Sequence, residues 1–220
     1  MKKKIVGLFV CMLLITTILP ITAIAGDEND PEIRDNLNDL WGPLVDHPIR
    51  IRTQIALKLL QINSFDFIDI HSAWFYENES EPNYLYAALK LNDLSVNPQR
   101  AIYTIHWMYN GGPYAVWSHL YNNGQNYISS VGVDKRSNYR WHNAEVTYDF
   151  NRSIVTFKMD KKYIGDPQPG DLLVNTFAWT ALRFNFQPST LLFGSGELVK
   201  DEAPFLENNT GYGRNYQIMY

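Results

Sequence analysis

The chain has 220 residues, of which 45% are hydrophobic and 14% aromatic, and its formal net charge is −4 at pH 7. Its single cysteine, Cys11, excludes an internal disulfide framework and a metal site built from several thiolates. The acidic balance argues against nucleic acid as a partner, because surfaces that bind nucleic acid are strongly basic.

The first 25 residues have the pattern of a secretory signal peptide. Lys2–Lys4 precede an uncharged apolar run from Ile5 to Ala25 that closes on small residues. We expect cleavage after Ala25, which leaves 16 basic residues against 23 acidic ones and no cysteine. The alternative is an uncleaved helix, since the run is just long enough to cross a bilayer. The protein is therefore predicted to be secreted or displayed at the cell surface, or else anchored by this helix.

Residues 26–65 are predicted to form an acidic entry segment and a covering helix. One short strand is expected around Ile33. Asp46-His47-Pro48 is a typical helix start, and apolar residues recur at helical spacing from about residue 48 to residue 62. Basic residues on this helix are compatible with a membrane surface, but a helix that covers an edge of a sandwich has the same pattern. We favour the second interpretation, in which the helix covers an edge of the sandwich.

Residues 66–220 are predicted to form a β-sandwich domain, and residues 26–220 one globular unit. Runs rich in β-branched and aromatic residues are separated by Gly, Pro, Asn and Asp. The runs lie near residues 66–76, 84–92, 101–109, 114–121, 126–133, 139–149, 153–159, 172–184, 190–198 and 213–220. Short strands at such regular spacing predict a mainly β, antiparallel sandwich with one N-terminal amphipathic helix.

The best-defined hairpin lies at residues 101–121. Asn110-Gly111 and Gly111-Gly112 both suit a two-residue turn, because Gly and Asn accept a positive φ at low cost, and both turns give the same two faces. A three-residue loop would exchange the faces. Either two-residue turn places Trp107 and Val116 on a core face, and His106, Trp117 and His119 on the opposite face. That second face combines rings with polar groups, which is typical of a partly solvated surface.

The strand motifs resemble those of DOMON-like β-sandwiches related to family 9 carbohydrate-binding modules, and of small exported archaeal proteins of unassigned function. The similar segments are "DFIDIHSAWF" (66–75), "NYLYAALKLNDL" (83–94), "AIYTIHWMYNGGPYAV" (101–116), "SIVTFKMDKKYIGDPQPGDLL" (153–173) and "GYGRNYQIMY" (211–220). In such modules an Asp-Ile pair, here Asp69-Ile70, precedes a strand with an aromatic residue. The resemblance implies a jelly-roll or DOMON-like sandwich that binds a carbohydrate without catalysis.

Sugar recognition requires flat rings that stack on the apolar face of a pyranose, with polar groups nearby to bind its hydroxyls. The predicted ligand-binding residues are Trp117, His119, Tyr121, Asn123, Arg140 and Trp141. The alternative explanation is that these rings are ordinary strand residues of a sandwich, in which Trp and Tyr are common.

Calcium is the ion that an acidic exported sandwich would bind, because it takes carboxylate and carbonyl oxygens in a loose shell. The candidate ligands are Asp27, Asp30, Asp35 and Asp39, although solvated acidic loops have the same composition. Histidines 106, 119 and 142 are weaker candidates for zinc or copper. Haem-binding relatives use an axial methionine and histidine, so Met108 is also considered. No cofactor is expected except a structural calcium.

The sequence contains no catalytic motif. Gly194-Ser195-Gly196 is too short for a nucleophile elbow, and no His-Glu-x-x-His or phosphate-binding glycine loop is present. We therefore expect no enzymatic activity. A glycoside hydrolase with two opposed carboxylates is one alternative. The other is a cell-surface structural or assembly protein that binds a protein partner. Asn78, Asn151 and Asn208 each begin a tripeptide that fits an N-glycosylation acceptor.

Overall fold

The structure is a computed structural model, and it describes residues 26–41, 64–94, 101–121, 126–133, 141–184, 196–204 and 212–220. Within these ranges the protein is mainly β, with two antiparallel sheets packed together, which confirms the predicted sandwich. The predicted signal segment and covering helix lie outside the described residues. Among the described residues, no helix is both long and apolar enough to cross a membrane.

The described strands follow one another closely in the chain. They are β1 (Ile33–Arg34), β2 (Ile70–Tyr76), β3 (Tyr84–Leu91), β4 (Ala101–Tyr109), β5 (Gly112–Tyr121), β6 (Asn126–Val133), β7 (Trp141–Asn143), β8 (Glu145–Asp149), β9 (Ile154–Asp160), β10 (Leu172–Phe184), β11 (Gly196–Ala203) and β12 (Tyr216–Gln217). A short 3₁₀ helix, Lys161–Ile164, joins β9 to the next segment.

The two sheets differ in size and in strand order. The five-stranded sheet has the order β1-β2-β3-β9-β8. The seven-stranded sheet has the order β11-β10-β4-β5-β6-β7, with β12 paired to one end of β10. The central pair β4–β10 joins strands about 70 residues apart, so the middle of this sheet depends on a long-range contact.

The β4–β5 hairpin has one of the two predicted turns, Asn110-Gly111, and the predicted division of residues between its faces. Asn110 and Gly111 have φ angles of 47° and 71°, and Tyr109 pairs with Gly112 across a two-residue turn. Trp107 and Val116 are 1% and 0% exposed on the inner face, as expected from the alternation. The local turn chemistry is therefore sufficient to fix which residues of the hairpin enter the core.

Aromatic side chains fill much of the space between the sheets. Phe75 of the five-stranded sheet packs edge-on against Trp107 of the other sheet, with ring centroids 5.6 Å apart. Tyr103 is fully buried, and its hydroxyl donates to the carbonyl of Phe67 at 3.1 Å, so its one polar atom is satisfied. The core thus joins the two sheets through direct side-chain contacts.

Two predicted strands differ from the structure. Residues 139–149 do not form a single strand, because the chain passes from the seven-stranded sheet (β7) to the five-stranded sheet (β8) at Ala144. The strand expected near 190–198 is β11, which begins at Gly196 and ends at Ala203. Of the glycosylation tripeptides, Asn78 and Asn151 lie in exposed turns, and Asn208 lies outside the described residues.

Candidate functional sites

The outer face of the seven-stranded sheet carries rings on three neighbouring strands. Trp179 of β10 pairs with Thr104 of β4, and Thr104 pairs with Trp117 of β5. Thr104 is only 3% exposed, whereas both tryptophans are half-buried. Because neighbouring strands lie about 4.8 Å apart, the two tryptophan positions are about 10 Å apart on one row of the sheet.

Trp179 belongs to a set of stacked rings that we call the ring stack, formed by Phe177, His106 and Trp179. The rings of His106 and Phe177 are nearly parallel, with centroids 4.4 Å apart. The indole of Trp179 lies at 22° to the His106 ring at 6.5 Å, and its Nε1–H donates to His106 Nε2 at 2.8 Å. This hydrogen bond requires that His106 Nε2 carry no proton, so Nε2 is the acceptor. The bond also fixes the orientation of the Trp179 indole.

Polar groups lie at the ends of the same row. Glu202 of β11 pairs with Trp179 on one side. Ser130 of β6 pairs with Trp117 on the other side, followed by the exposed Asn143 of β7. The face therefore combines fixed rings with hydrogen-bonding groups at its margins.

The structure brings only part of the predicted ligand site onto this face. Trp117 and His119 are two residues apart on β5 and share the outer face. The backbones of Tyr121 and Trp141 pair with Asn126 and Gly132, but their side chains lie outside the described part of the structure. Asn123 and Arg140 also lie outside the described residues. The sequence did not lead us to predict Trp179 as a site residue. Trp179 lies in the same row as Trp117 because β10 pairs with β4, which is distant in the chain.

The three histidines do not share one side of the sheet. His142 pairs with Val131, whose side chain faces the core, and its ring stacks on Tyr163 at 3.9 Å. His106 and His119 face outwards instead. Among the described residues, the group that could hold a metal ion contains aspartates and no histidine.

The glutamates near residues 77–81 are engaged in ion pairs. Glu77 contacts Lys161 at 2.5 Å with both side chains almost fully buried. Glu81 contacts Lys158 at 2.6 Å. Glu77 and Glu81 therefore each have a lysine partner within the fold.

Three aspartates converge at the edge where β11 meets the first residues of β2. One carboxylate oxygen each from Asp35, Asp39 and Asp201 lies within 4.8 Å of the others, and we call these residues the carboxylate cluster. The predicted calcium ligands Asp27 and Asp30 are not among them. Asp27 Oδ1 accepts the backbone N–H groups of its own turn, and Asp30 pairs with Arg214 at 2.8 Å.

Backbone contacts hold the carboxylate cluster in place. Trp41 forms an isolated antiparallel bridge with Lys200, which fixes the end of the 35–41 loop beside β11. Asp201 is fully buried, and its carboxylate accepts the N–H groups of Ile70 at 2.5 Å and of Glu202 at 3.0 Å. Its position is therefore set by both sheets.

A fourth carboxylate borders the cluster. Asp69 is fully buried, and it accepts the backbone N–H of Asn38 and the amide of Asn92, both at 3.0 Å. Burial raises the pKa of Asp201 to about 7, and the negative charges of Asp39 and Asp69 contribute. Burial also raises the pKa of Asp39 and of Asp69. Negative charge is therefore unfavourable on Asp39, Asp69 and Asp201 alike.

The known proteins offer no identification of the chain. Comparisons with protein-family models, with curated proteins and with solved structures find no match.

Proposed function

We propose that this protein is an exported, non-catalytic binding module whose ligand is a carbohydrate or a glycan of the cell envelope, held on the outer face of the seven-stranded sheet. The observation that supports this best is Trp179. Its indole is half-buried, hydrogen-bonded to His106 and nearly parallel to that ring, so it is a fixed flat surface on a strand.

The Trp179 indole offers a flat apolar surface to a ligand ring. His106 lies beside the indole edge, because it accepts the in-plane Nε1–H at 2.8 Å with the ring centroids 6.5 Å apart. A pyranose has an apolar C–H face and a rim of hydroxyls, so it would stack on the indole while its rim reaches polar groups. Glu202, the cross-strand neighbour of Trp179, is placed to accept hydrogen bonds from such hydroxyls.

The spacing of the two tryptophans favours an oligosaccharide over a single sugar. The positions of Trp179 and Trp117 are about 10 Å apart by strand spacing, which is comparable to the length of a disaccharide. Because both residues are on strands of one sheet and Trp179 is hydrogen-bonded, little conformational entropy is lost when a ligand binds. The similarity of the strand motifs to family 9 carbohydrate-binding modules supports the same ligand class.

The proposal is tested by titrating the full chain with oligosaccharides and following tryptophan fluorescence. Trp179→Ala and Trp117→Ala should each weaken binding about tenfold, since each removes a stacking surface. Phe150→Ala is the matched control, because Phe150 is 39% exposed and stacks on Tyr148 of β8, a strand of the other sheet. Binding that survives both tryptophan substitutions would contradict the proposed site.

A further inference from the structure

We propose that Asp35, Asp39 and Asp201 form a calcium site that joins the 35–41 loop to β11. This site is separate from the ring stack and does not depend on the proposed ligand. The first observation is the convergence of three carboxylate oxygens, all within 4.8 Å of one another. Two oxygens bound to one calcium are at most about 5 Å apart, twice the usual Ca–O distance, so the separation fits a shared ion.

The second observation is that the Asp39 carboxylate is buried. Each of its carboxylate oxygens has less than 1 Å² of accessible surface and no hydrogen-bond partner in another residue. A carboxylate removed from water without a donor or a cation is strongly destabilising. One oxygen of Asp39 belongs to the group of three, so the carboxylate is directed at the place where a cation would sit.

The charge around Asp39 has the sign that a cation would neutralise. Asp69 and Asp201 are both fully buried, and Asp39 and Asp69 each repel the charge on Asp201. Within the described residues, no lysine or arginine forms an ion pair with Asp39, Asp69 or Asp201. A divalent cation would neutralise the charges of these carboxylates.

The surrounding hydrogen bonds orient ligands for an ion. Asp201 accepts two backbone N–H groups, and each of its oxygens retains a lone pair for a metal. The N–H of Asn38 and the amide of Asn92 hold Asp69 beside the cluster. Such outer contacts restrict the positions of carboxylates in known metal sites.

The ligand atoms select the class of ion. The group contains only carboxylate oxygens, which suit calcium or magnesium and not zinc or copper. Magnesium requires shorter, strictly octahedral bonds and keeps several waters, which a site with so little accessible surface does not favour. The same burial opposes a catalytic role, because a glycosidic bond cannot reach oxygens that solvent barely contacts.

The test uses the full chain after treatment with a chelator, titrated with calcium and separately with magnesium. We expect one calcium per chain by calorimetry and a rise in the unfolding temperature, since an ion bound only by the folded state stabilises it. Asp39→Asn should lower calcium affinity at least about tenfold. In the metal-free state the same variant should unfold at a higher temperature than the unmodified chain, because it removes a buried charge.

Asp30→Asn is the matched control. Asp30 precedes the cluster in the same acidic segment but pairs with Arg214, so its variant should bind calcium like the unmodified chain. Asp201→Asn should also lose binding, but the full burial of Asp201 can prevent that variant from folding, so Asp39→Asn decides the test.

Two results would overturn the proposal: a folded, chelated chain whose unfolding temperature does not respond to calcium, or equal calcium affinity in Asp39→Asn and the unmodified chain. Magnesium binding as tight as calcium binding would overturn the choice of ion.

Discussion

Replacing Lys161 by methionine should destabilise the protein far more than the same change at the next residue, Lys162. The Lys161 side chain is 5% exposed and contacts Glu77, which is 1% exposed, at 2.5 Å. Lys162 is 60% exposed, pairs with Asp160 and lies over the Tyr163 ring at 4.6 Å. The two positions therefore compare a buried and a solvated ion pair within one turn of the 3₁₀ helix.

The size of the effect follows from what remains around Glu77. Loss of one partner from a buried ion pair costs about 3–5 kcal/mol, because the other charge stays buried. Glu77 would still accept the Tyr216 hydroxyl at 3.0 Å and the Met219 N–H at 2.5 Å, which favours the lower end, about 3 kcal/mol. For a chain of this length, that corresponds to a fall in unfolding temperature of about 6–12 °C.

Thermal unfolding followed by circular dichroism, with urea unfolding as a second measurement, gives both values. Lys162→Met should have little effect, since solvent screens an exposed pair. Adding Glu77→Gln to Lys161→Met should recover part of the loss, because it removes the unpaired charge. If Lys161→Met and Lys162→Met unfold at the same temperature, the reasoning about the buried pair is wrong.

Two further predictions concern stability. Burial raises the pKa of Glu32 to about 7 from the ordinary 4.5, with attraction to Arg214 and repulsion from Asp30 as smaller effects. The folded state therefore binds more protons than the unfolded state, and this contribution to stability should fall between pH 4.5 and pH 7 by on the order of 3 kcal/mol. Urea unfolding of the full chain across this range should show the fall, and Glu32→Gln should reduce it by the contribution of Glu32 while that of Asp201 remains; an equal fall in Glu32→Gln and the unmodified chain would contradict the assignment. Gly165→Ala should destabilise the protein more than Gly111→Ala in the same assay. Both glycines have a positive φ, so alanine is strained at either position. Only at Gly165 would the new methyl group also meet another side chain, the Tyr114 hydroxyl at 2.7 Å. Equal losses of stability in the two variants would show that the contact at Gly165 is relieved, and would contradict this prediction.

The sequence predicts local features of this fold well because their causes are local. The Asn110-Gly111 turn needs only two residues with positive φ, and the alternation along β4 and β5 then determines which side chains are buried. The short strand at Ile33 is also confirmed. Such features depend on neighbours in the chain, which a single sequence displays directly.

Contacts between distant segments were not predictable in the same way. Trp179 reaches the hairpin face because β10 pairs with β4, and nothing in the local pattern specifies that pairing. Asp201 meets Asp35 and Asp39 from more than 160 residues away. The acidic segment suggested carboxylates for an ion, and two of its aspartates, Asp35 and Asp39, lie close to Asp201. Asp27 and Asp30 have other partners, a turn and Arg214, that only the folded chain reveals.

The measurement that tests the central claim most directly is a glycan array probed with the folded full chain, with and without a calcium chelator. The account predicts saturable binding to at least one oligosaccharide, weakened in Trp179→Ala and retained in Phe150→Ala. A blank array from a chain that is folded by circular dichroism, in the presence of calcium, would contradict carbohydrate binding.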